Sequence, residues 1–134
     1  MDLKTALMER KSTRAFLDKI VSNDTINQII EQSKTAPSGV NTQPWQVAVL
    51  QGESKQNFCN KLEGAFREGK KGLMDYKYYP VEWADDYKQR RKECGFLLYS
   101  TLEINREDKK KQLDQWALNY HAFNAPVVLL FFID

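Results

Sequence analysis

Residues 36–45 are the most informative segment of the chain, and they read Ala36-Pro37-Ser38-Gly39-Val40-Asn41-Thr42-Gln43-Pro44-Trp45. Two prolines, a glycine and small polar residues exclude regular secondary structure here and predict an ordered loop. The side-chain amides of Asn41 and Gln43 each carry a donor and an acceptor, which suits a heterocycle edge with alternating N–H and C=O groups. A purely structural loop that leads into a strand is the alternative, and the residues alone leave both interpretations open.

Hydrophobic spacing on either side of this loop predicts five helices and two strands. Before the loop we expect helices over residues 2–9 and 23–34, capped by Asp2 and by Ser22 or Asn23. After it we expect, in order, a strand over 45–50, a turn over 51–54, helices over 55–70 (capped by Ser54), 84–104 and 106–123, and a strand over 127–133. The class is therefore α+β.

The last predicted strand, Val127 to Ile133, is apolar throughout, which is typical of a strand in the middle of a sheet. Only two strands can be recognised, and a pair alone is marginally stable. We therefore expect a partner chain, or further sequence beyond Asp134, to supply neighbouring strands.

Composition places the 134 residues in one ordinary globular domain, with 42% apolar and 28% charged residues. Twenty basic residues against 18 acidic ones give no reason to expect a nucleic-acid or membrane partner. No signal peptide is visible after Met1, so the cytoplasm is the expected compartment. Cys59 and Cys94 fit free buried thiols there, and no C-x-x-C or H-x-x-x-H spacing predicts a metal site.

A cluster of cations with a hydroxyl, formed by Arg10, Lys11, Ser12 and Arg14, lies between the first two predicted helices. Arginine presents a planar fork to phosphate oxygens and serine adds a hydrogen bond, so the cluster could cradle an anion. A solvated basic turn at a helix end is the alternative.

The order of these two segments resembles the N-terminal half of the FMN-dependent nitroreductase family. The pattern is R-x-S-x-R, an amphipathic helix, A-P-S-x-x-N-x-Q-P-W, and a strand. Residues 87–95, 115–120 and 125–128 also resemble a nitrobenzoate-reductase-like branch. The resemblance covers essentially all of residues 1–134. It implies a single FMN-binding domain, an α/β sandwich whose central sheet is flanked by helices.

The resemblance also implies the cofactor-binding residues. Arg10, Ser12 and Arg14 match positions that hold the FMN phosphate and ribityl chain, and Lys11 adds contacts. Pro37, Ser38 and Asn41, together with the weaker match Gln43, correspond to the segment that packs against the isoalloxazine of the partner subunit's FMN. Asn119 corresponds to a polar contact to the pyrimidine edge. Family members form homodimers with two FMN sites at the interface.

The implied activity passes electrons from NADH or NADPH through FMN to a nitroaromatic or related oxidised acceptor. Because the cofactor carries this chemistry, no residue is predicted to be an acid–base catalyst. Family members continue past Asp134, so we expect the chain to be incomplete at its C-terminus. A truncated, non-catalytic flavin-binding or interaction domain is one alternative. A small nucleic-acid-binding domain is a second, and the nearly balanced charge opposes it.

Other side chains receive weaker predictions. His121, the only histidine, is expected to pack at or near the rim of the core rather than to act in catalysis. Cys94 is expected on the inward face of its helix. An aromatic stretch could form a lid over a flat substrate or a satellite hydrophobic cluster, and both stay open; its members are Tyr76, Tyr78, Tyr79 and Trp83.

Overall fold

The computed structural model describes residues 2–133, which form five α-helices, two β-strands and two short 3₁₀ turns. In chain order these are α1 (Leu3–Glu9), α2 (Asn23–Ser33), a 3₁₀ turn (Gly39–Asn41), β1 (Trp45–Gln51), α3 (Gly52–Arg67), α4 (Asp85–Thr101), α5 (Lys109–Ala117), a second 3₁₀ turn (Ala122–Asn124) and β2 (Val127–Ile133). The predicted α+β class and the order of the elements are confirmed. No helix within residues 2–133 has both the length and the apolar character needed to cross a bilayer.

The first two helices begin where local capping chemistry predicts. The Asp2 carboxylate accepts a hydrogen bond from the backbone N–H of Thr5 at 2.9 Å. The Ser22 hydroxyl accepts one from the N–H of Thr25 at 3.2 Å. Each side chain satisfies a donor that the first turn of a helix leaves without an intrahelical partner.

The two strands form one antiparallel ladder of seven residue pairs, which runs from Trp45 opposite Ile133 to Gln51 opposite Val127. The first four residues of β2 are half-buried and Phe131, Phe132 and Ile133 are exposed. Among residues 2–133, β2 pairs with β1 alone. The neighbours expected on both sides of β2 therefore stay a prediction.

The core lies where α3 packs against the sheet and against α5. Its buried apolar residues are Ile26 on α2, Cys59 on α3 and Ala117 on α5. The ring of Phe66 on α3 stacks on the ring of Tyr120 in the turn after α5, with their centroids 4.5 Å apart.

The predicted start of α3 is wrong, because the chain passes from β1 into the helix without an intervening turn. Gly52 makes this possible with a φ of 54°, a left-handed conformation that glycine adopts at little cost. Ser54 is the third residue of the helix rather than its cap. Its hydroxyl donates to the carbonyl of Gln51 at 2.8 Å and accepts from the N–H of Gln51 at 3.4 Å.

The predicted extents of the last two helices are also too long. α4 ends at Thr101, just before Glu103, whose φ is 53°. α5 ends at Ala117, well before Pro126, and the turn that follows includes Ala122, Phe123 and Asn124 in the left-handed region, with φ values of 48°, 52° and 61°.

The predicted inward face of α4 is wrong, since α4 has no buried residue. Cys94, expected to be buried, is exposed, whereas Cys59 is buried as predicted; both thiols are free. The half of α4 that carries Tyr87 and Cys94 is exposed apart from Gly95. Apolar spacing predicted the helix correctly. It could not predict that most of the helix surface is left uncovered by the rest of the described chain.

Candidate functional site

The loop over residues 36–45 is held together by the amide of Gln43, so we refer to it as the Gln43 loop. The Nε2 atom of Gln43 lies 2.9 Å from the carbonyl oxygen of Ala36 and 2.8 Å from Oδ1 of Asn41. Its Oε1 atom accepts from the indole N–H of Trp45 at 2.7 Å. The backbone N–H of Gln43 donates to the hydroxyl of Ser38 at 2.9 Å. These bonds fix an irregular segment that lacks a helical or sheet ladder.

The hydrogen bonds of the Gln43 loop separate its residues into supports and donors. Gln43 and Ser38 are half-buried and their polar atoms are used inside the loop, so both act as supports. Asn41 is exposed, and its Nδ2 group has no hydrogen-bond partner among residues 2–133. Pro37 is exposed beside it. Asn41 is therefore able to donate to a ligand carbonyl.

Three residues of the Gln43 loop have left-handed backbone, with φ values of 45° at Val40, 56° at Asn41 and 48° at Gln43. This conformation is unfavourable for a residue with a Cβ atom, and especially for β-branched valine. It persists here because the hydrogen bonds around Gln43 over-determine the path of the chain.

An apolar groove of about 520 Å³ lies next to the Gln43 loop, between α2 and the sheet. Its walls are formed by Ile30, Ser33, Ala36, Gln43, Trp45, Val47 and Phe131, with Lys34. A groove of this size is large enough for a flat ligand or for an apolar side-chain cluster from another chain.

The basic segment, residues 10–14, is exposed along its whole length. The guanidinium of Arg14 donates to the carbonyl of Ser12 at 3.3 Å, and its Cζ atom lies 5.7 Å from the ring centroid of Phe123. Arg10, Lys11 and Arg14 form no ion pair with any acid in residues 2–133. Three cations thus remain available to an external anion.

The structure does not bring the basic segment and the Gln43 loop together in one chain. The loop enters the sheet at Trp45, opposite Ile133. Arg14 contacts Phe123, which precedes β2 near the other end of the ladder. Seven residue pairs at a rise of about 3.3 Å each separate the two ends of the ladder by about 20 Å.

Asn119 lies in the turn after α5, on the side of the sheet that carries Phe123. Its side chain is exposed, and its Nδ2 group donates to the carbonyl of Trp116 at 3.0 Å. The turn therefore uses one donor of Asn119 for its own structure. The side-chain oxygen of Asn119 has no hydrogen-bond partner among the described residues.

A charged network beneath this turn was not predicted from the sequence. The side chain of His121 is 16% exposed, and its Nε2 atom contacts Oε2 of Glu63 at 2.5 Å. Arg67 binds the other oxygen of Glu63 at 2.6 Å and reaches Asp114 on α5 at 2.9 Å. The hydrogen bond from Arg67 is the main reason that the pKa of Glu63 lies below its usual value.

The i, i+4 spacing of Glu63 and Arg67 on one helix could have indicated their pair. The contact between Glu63 and His121 could not be found in this way, because it spans two distant elements. The position of the His121 side chain at the rim of the core agrees with the prediction made for this residue from the sequence. Within residues 2–133, no three side chains of His, Cys, Asp or Glu gather as metal ligands.

Comparison with known proteins identifies the class to which this fold and these segments belong. The sequence matches the nitroreductase family over residues 7–133, and the chain belongs to that family. It is 34% identical to the 4-nitrobenzoate reductase of Pseudomonas putida over 133 residues, which are 99% of this chain and 58% of that protein.

Solved structures agree with the sequence comparison. The FMN and NADPH-dependent nitroreductase NfnB from sphigopyxis sp. strain HMH is 36% identical and superposes with a TM-score of 0.87 over 98% of this chain and 59% of that one. The FMN-dependent nitroreductase NfnB from Mycobacterium smegmatis, in complex with NADPH, is 28% identical with a TM-score of 0.85, over 98% of this chain and 61% of that one. The chain thus spans about three fifths of the length of these relatives.

Proposed function

We propose that the protein is an FMN-dependent oxidoreductase that passes electrons from NADPH or NADH to nitroaromatic or related oxidised acceptors. The observation that carries the proposal is the basic segment, whose three cations have no acidic partner in the described chain. The names of the relatives support the same cofactor, nicotinamide donor and acceptor class.

The residues of the chain fit FMN in their donor chemistry. Arg10, Lys11 and Arg14 offer charged donors suited to a phosphate, and Ser12 offers a hydroxyl. Asn41 offers the unused amide donor of the Gln43 loop, which suits a ring carbonyl of the isoalloxazine. When bound, FMN supplies the hydride-accepting and electron-donating chemistry, and the protein supplies binding, orientation and exclusion of water.

The distance between the two segments supports a homodimer. The Gln43 loop enters one end of the β1–β2 ladder and Arg14 contacts Phe123 near the other end, and the ladder is about 20 Å long, so two molecules of FMN fit this arrangement better than one. A two-fold dimer would place the loop of one subunit against the flavin held by the basic segment of the other. The exposed apolar groove beside the loop offers surface for that contact.

The proposal includes the extent and the compartment of the protein. We treat residues 1–134 as one FMN-binding domain, because α3 packs against both strands and α5 around a shared core. We place the protein in the cytoplasm, because Cys59 and Cys94 are free thiols, which suit a reducing compartment.

The proposal is tested by flavin binding and turnover. The purified protein should bind FMN, and the bound flavin should lose its yellow colour when NADPH is added without oxygen. Subsequent addition of nitrobenzene should restore the colour as the nitro group is reduced. If FMN binds but NADPH never bleaches it, the protein binds flavin without being a nicotinamide-dependent reductase. If FMN does not bind, the proposed function is wrong.

A further inference from the structure

The segment before α4 folds back on that helix and places Arg91 against two aromatic rings. The Cζ atom of Arg91 lies 5.3 Å from the ring centroid of Tyr79 and 5.1 Å from that of Trp83. Tyr78 packs edge-on against Tyr79, with centroids 4.7 Å apart and ring planes at 77°. We call these four residues the aromatic–arginine cluster. The rings of Tyr79 and Trp83 also lie 5.7 Å apart, so the aromatic stretch packs on itself and on a cation.

The acids of α4 near Arg91 are occupied by other partners. Asp85 pairs with Lys88 at 3.2 Å and Asp86 pairs with Arg90 at 2.6 Å. The carboxylate of Glu93 accepts a hydrogen bond from Gln89 at 2.7 Å. Arg91 itself forms no ion pair or hydrogen bond through its guanidinium with any residue in 2–133.

Cation–π contacts orient Arg91 without using its hydrogen-bond donors. Two rings hold the guanidinium by its charge, and its five N–H groups remain available for a planar anion such as a carboxylate. Tyr79 is 56% exposed and Trp83 is half-buried, so aromatic surface lies open beside the cation. An ordered arginine edge next to an accessible ring suits a ligand that combines a flat ring with an anionic group.

We propose that the aromatic–arginine cluster recognises the anionic group of an aromatic ligand, and that this group is the carboxylate of a nitroaromatic acid substrate. The inference rests on the proposed function, since it assigns a substrate class to that reductase. The first half of α4 is exposed, which leaves the cluster accessible to such a ligand.

The test compares a charged with an uncharged substrate in three variants of the full chain with FMN bound. Arg91→Gln removes the charge, and Arg91→Lys keeps the charge but loses the planar fork. Arg90→Gln is the matched control, because Arg90 neighbours Arg91 on α4 but already pairs with Asp86 and lies over Tyr87. Thermal melting of each variant checks that the fold is retained.

For Arg91→Gln we expect the KM for 4-nitrobenzoate to rise roughly tenfold or more, as for loss of a charge-assisted hydrogen bond. The KM for nitrobenzene should stay within about twofold of the wild-type value, since this substrate carries no anion. Arg91→Lys should give an intermediate KM for 4-nitrobenzoate, and Arg90→Gln should match the wild-type protein. Equal changes for both substrates, or no change for either, would overturn the proposal.

A second arm separates two possible sources of the anion. NADPH carries a phosphate that NADH lacks, so KM values for both nucleotides are measured in the same variants. A rise for NADPH alone, with 4-nitrobenzoate unaffected, would overturn the assignment to a substrate carboxylate and place a nucleotide phosphate at Arg91.

A binding measurement keeps this inference separate from the proposed function. Isothermal titration calorimetry measures the affinity of the wild-type protein and of Arg91→Gln for benzoate, and it needs no turnover. Weaker binding of benzoate to Arg91→Gln would support the cluster even if the wild-type protein reduced no nitroaromatic. Equal affinity for benzoate in the two proteins would count against the cluster even if the wild-type protein were an active reductase.

Discussion

The Nε2 atom of His121 lies 2.5 Å from Oε2 of Glu63, and this contact ties the turn after α5 to the middle of α3. The three residues that follow His121 all have left-handed backbone, and the ring of the second, Phe123, faces Arg14 of the basic segment. An unfavourable turn is thus anchored on one side by the contact between His121 and Glu63 and on the other by a cation–π contact. Through Phe123, this anchored turn contacts Arg14, a residue proposed to bind FMN.

Acid should destabilise the protein partly through Glu63. Its pKa is lowered in the folded state, first by the hydrogen bond from Arg67, so its contribution to stability is present above its ordinary value of 4.5. That contribution disappears as the pH falls through the lower, folded-state pKa. Melting temperatures from pH 6 to pH 3 should therefore fall less steeply for Glu63→Gln than for the wild-type protein.

Glu31→Gln is the matched control for this experiment, because Glu31 pairs with Lys34 within one exposed turn of α2. Its melting temperatures should follow those of the wild-type protein. Identical pH dependence in Glu63→Gln and the wild-type protein would mean that the Glu63 network contributes nothing to acid stability.

Arg10→Ala should weaken FMN binding, whereas Lys88→Ala should not. Loss of a charge-assisted bond to phosphate costs about 1.5–3 kcal/mol, which corresponds to roughly a 10- to 160-fold weaker Kd. Lys88 already pairs with Asp85 on the surface of α4, where an ion pair contributes little. Flavin fluorescence titration measures both affinities. Equal values would remove Arg10 from the proposed site.

The sequence predicted the parts of this fold that depend on near neighbours. The starts of α1 and α2 follow from Asp2 and Ser22, whose caps act within three residues. The strands follow from runs of apolar residues. The predicted length of α5 was wrong because nothing local to residues 118–124 announces three left-handed, non-glycine residues. Their conformation is supported by contacts with α3 and with Arg14, which a local pattern does not contain.

For the candidate site, the sequence predicted which side chains bind the cofactor but not where in the fold they lie. The motifs led to the predictions for Arg10, Arg14 and Asn41 through the chemistry of their side chains, and these stay predictions. Their distribution over both ends of the sheet depends on the pairing of β1 with β2, which are separated by most of the chain. The internal role of Gln43 was also hidden, since only the folded loop shows that its amide serves its own backbone.

Gln43→Glu should destabilise the Gln43 loop. The substitution places a carboxylate oxygen where Nε2 now donates to Ala36 and Asn41. That oxygen would face the carbonyl oxygen of Ala36 and Oδ1 of Asn41, which are both acceptors. We expect a loss of about 1–3 kcal/mol in the free energy of unfolding. Gln32→Glu on the exposed surface of α2 should change it by less than about 0.5 kcal/mol. Urea denaturation of the two variants gives the comparison, and equal losses would contradict the supporting role of Gln43.

Val40→Gly should stabilise the protein. Val40 is 97% exposed and has a φ of 45°, so the substitution removes backbone strain without removing packing. Relief of about 1–2 kcal/mol of strain outweighs the entropy cost of glycine, which is about 0.5–1 kcal/mol. Val81→Gly, at an exposed position without positive φ, should bring no gain. A lower melting temperature for Val40→Gly would show that the strain is absent.

The contrast between the two cysteines makes the protein suited to site-specific spectroscopy. Cys94 is exposed on α4 while Cys59 is enclosed in the core, so a maleimide reagent should modify the first and spare the second without any engineering. A spin label attached at Cys94 would report on the helix that carries Arg91. In a two-fold assembly, the dipolar coupling between two such labels would measure the separation of the two α4 helices and how it changes when flavin or an aromatic acid is added.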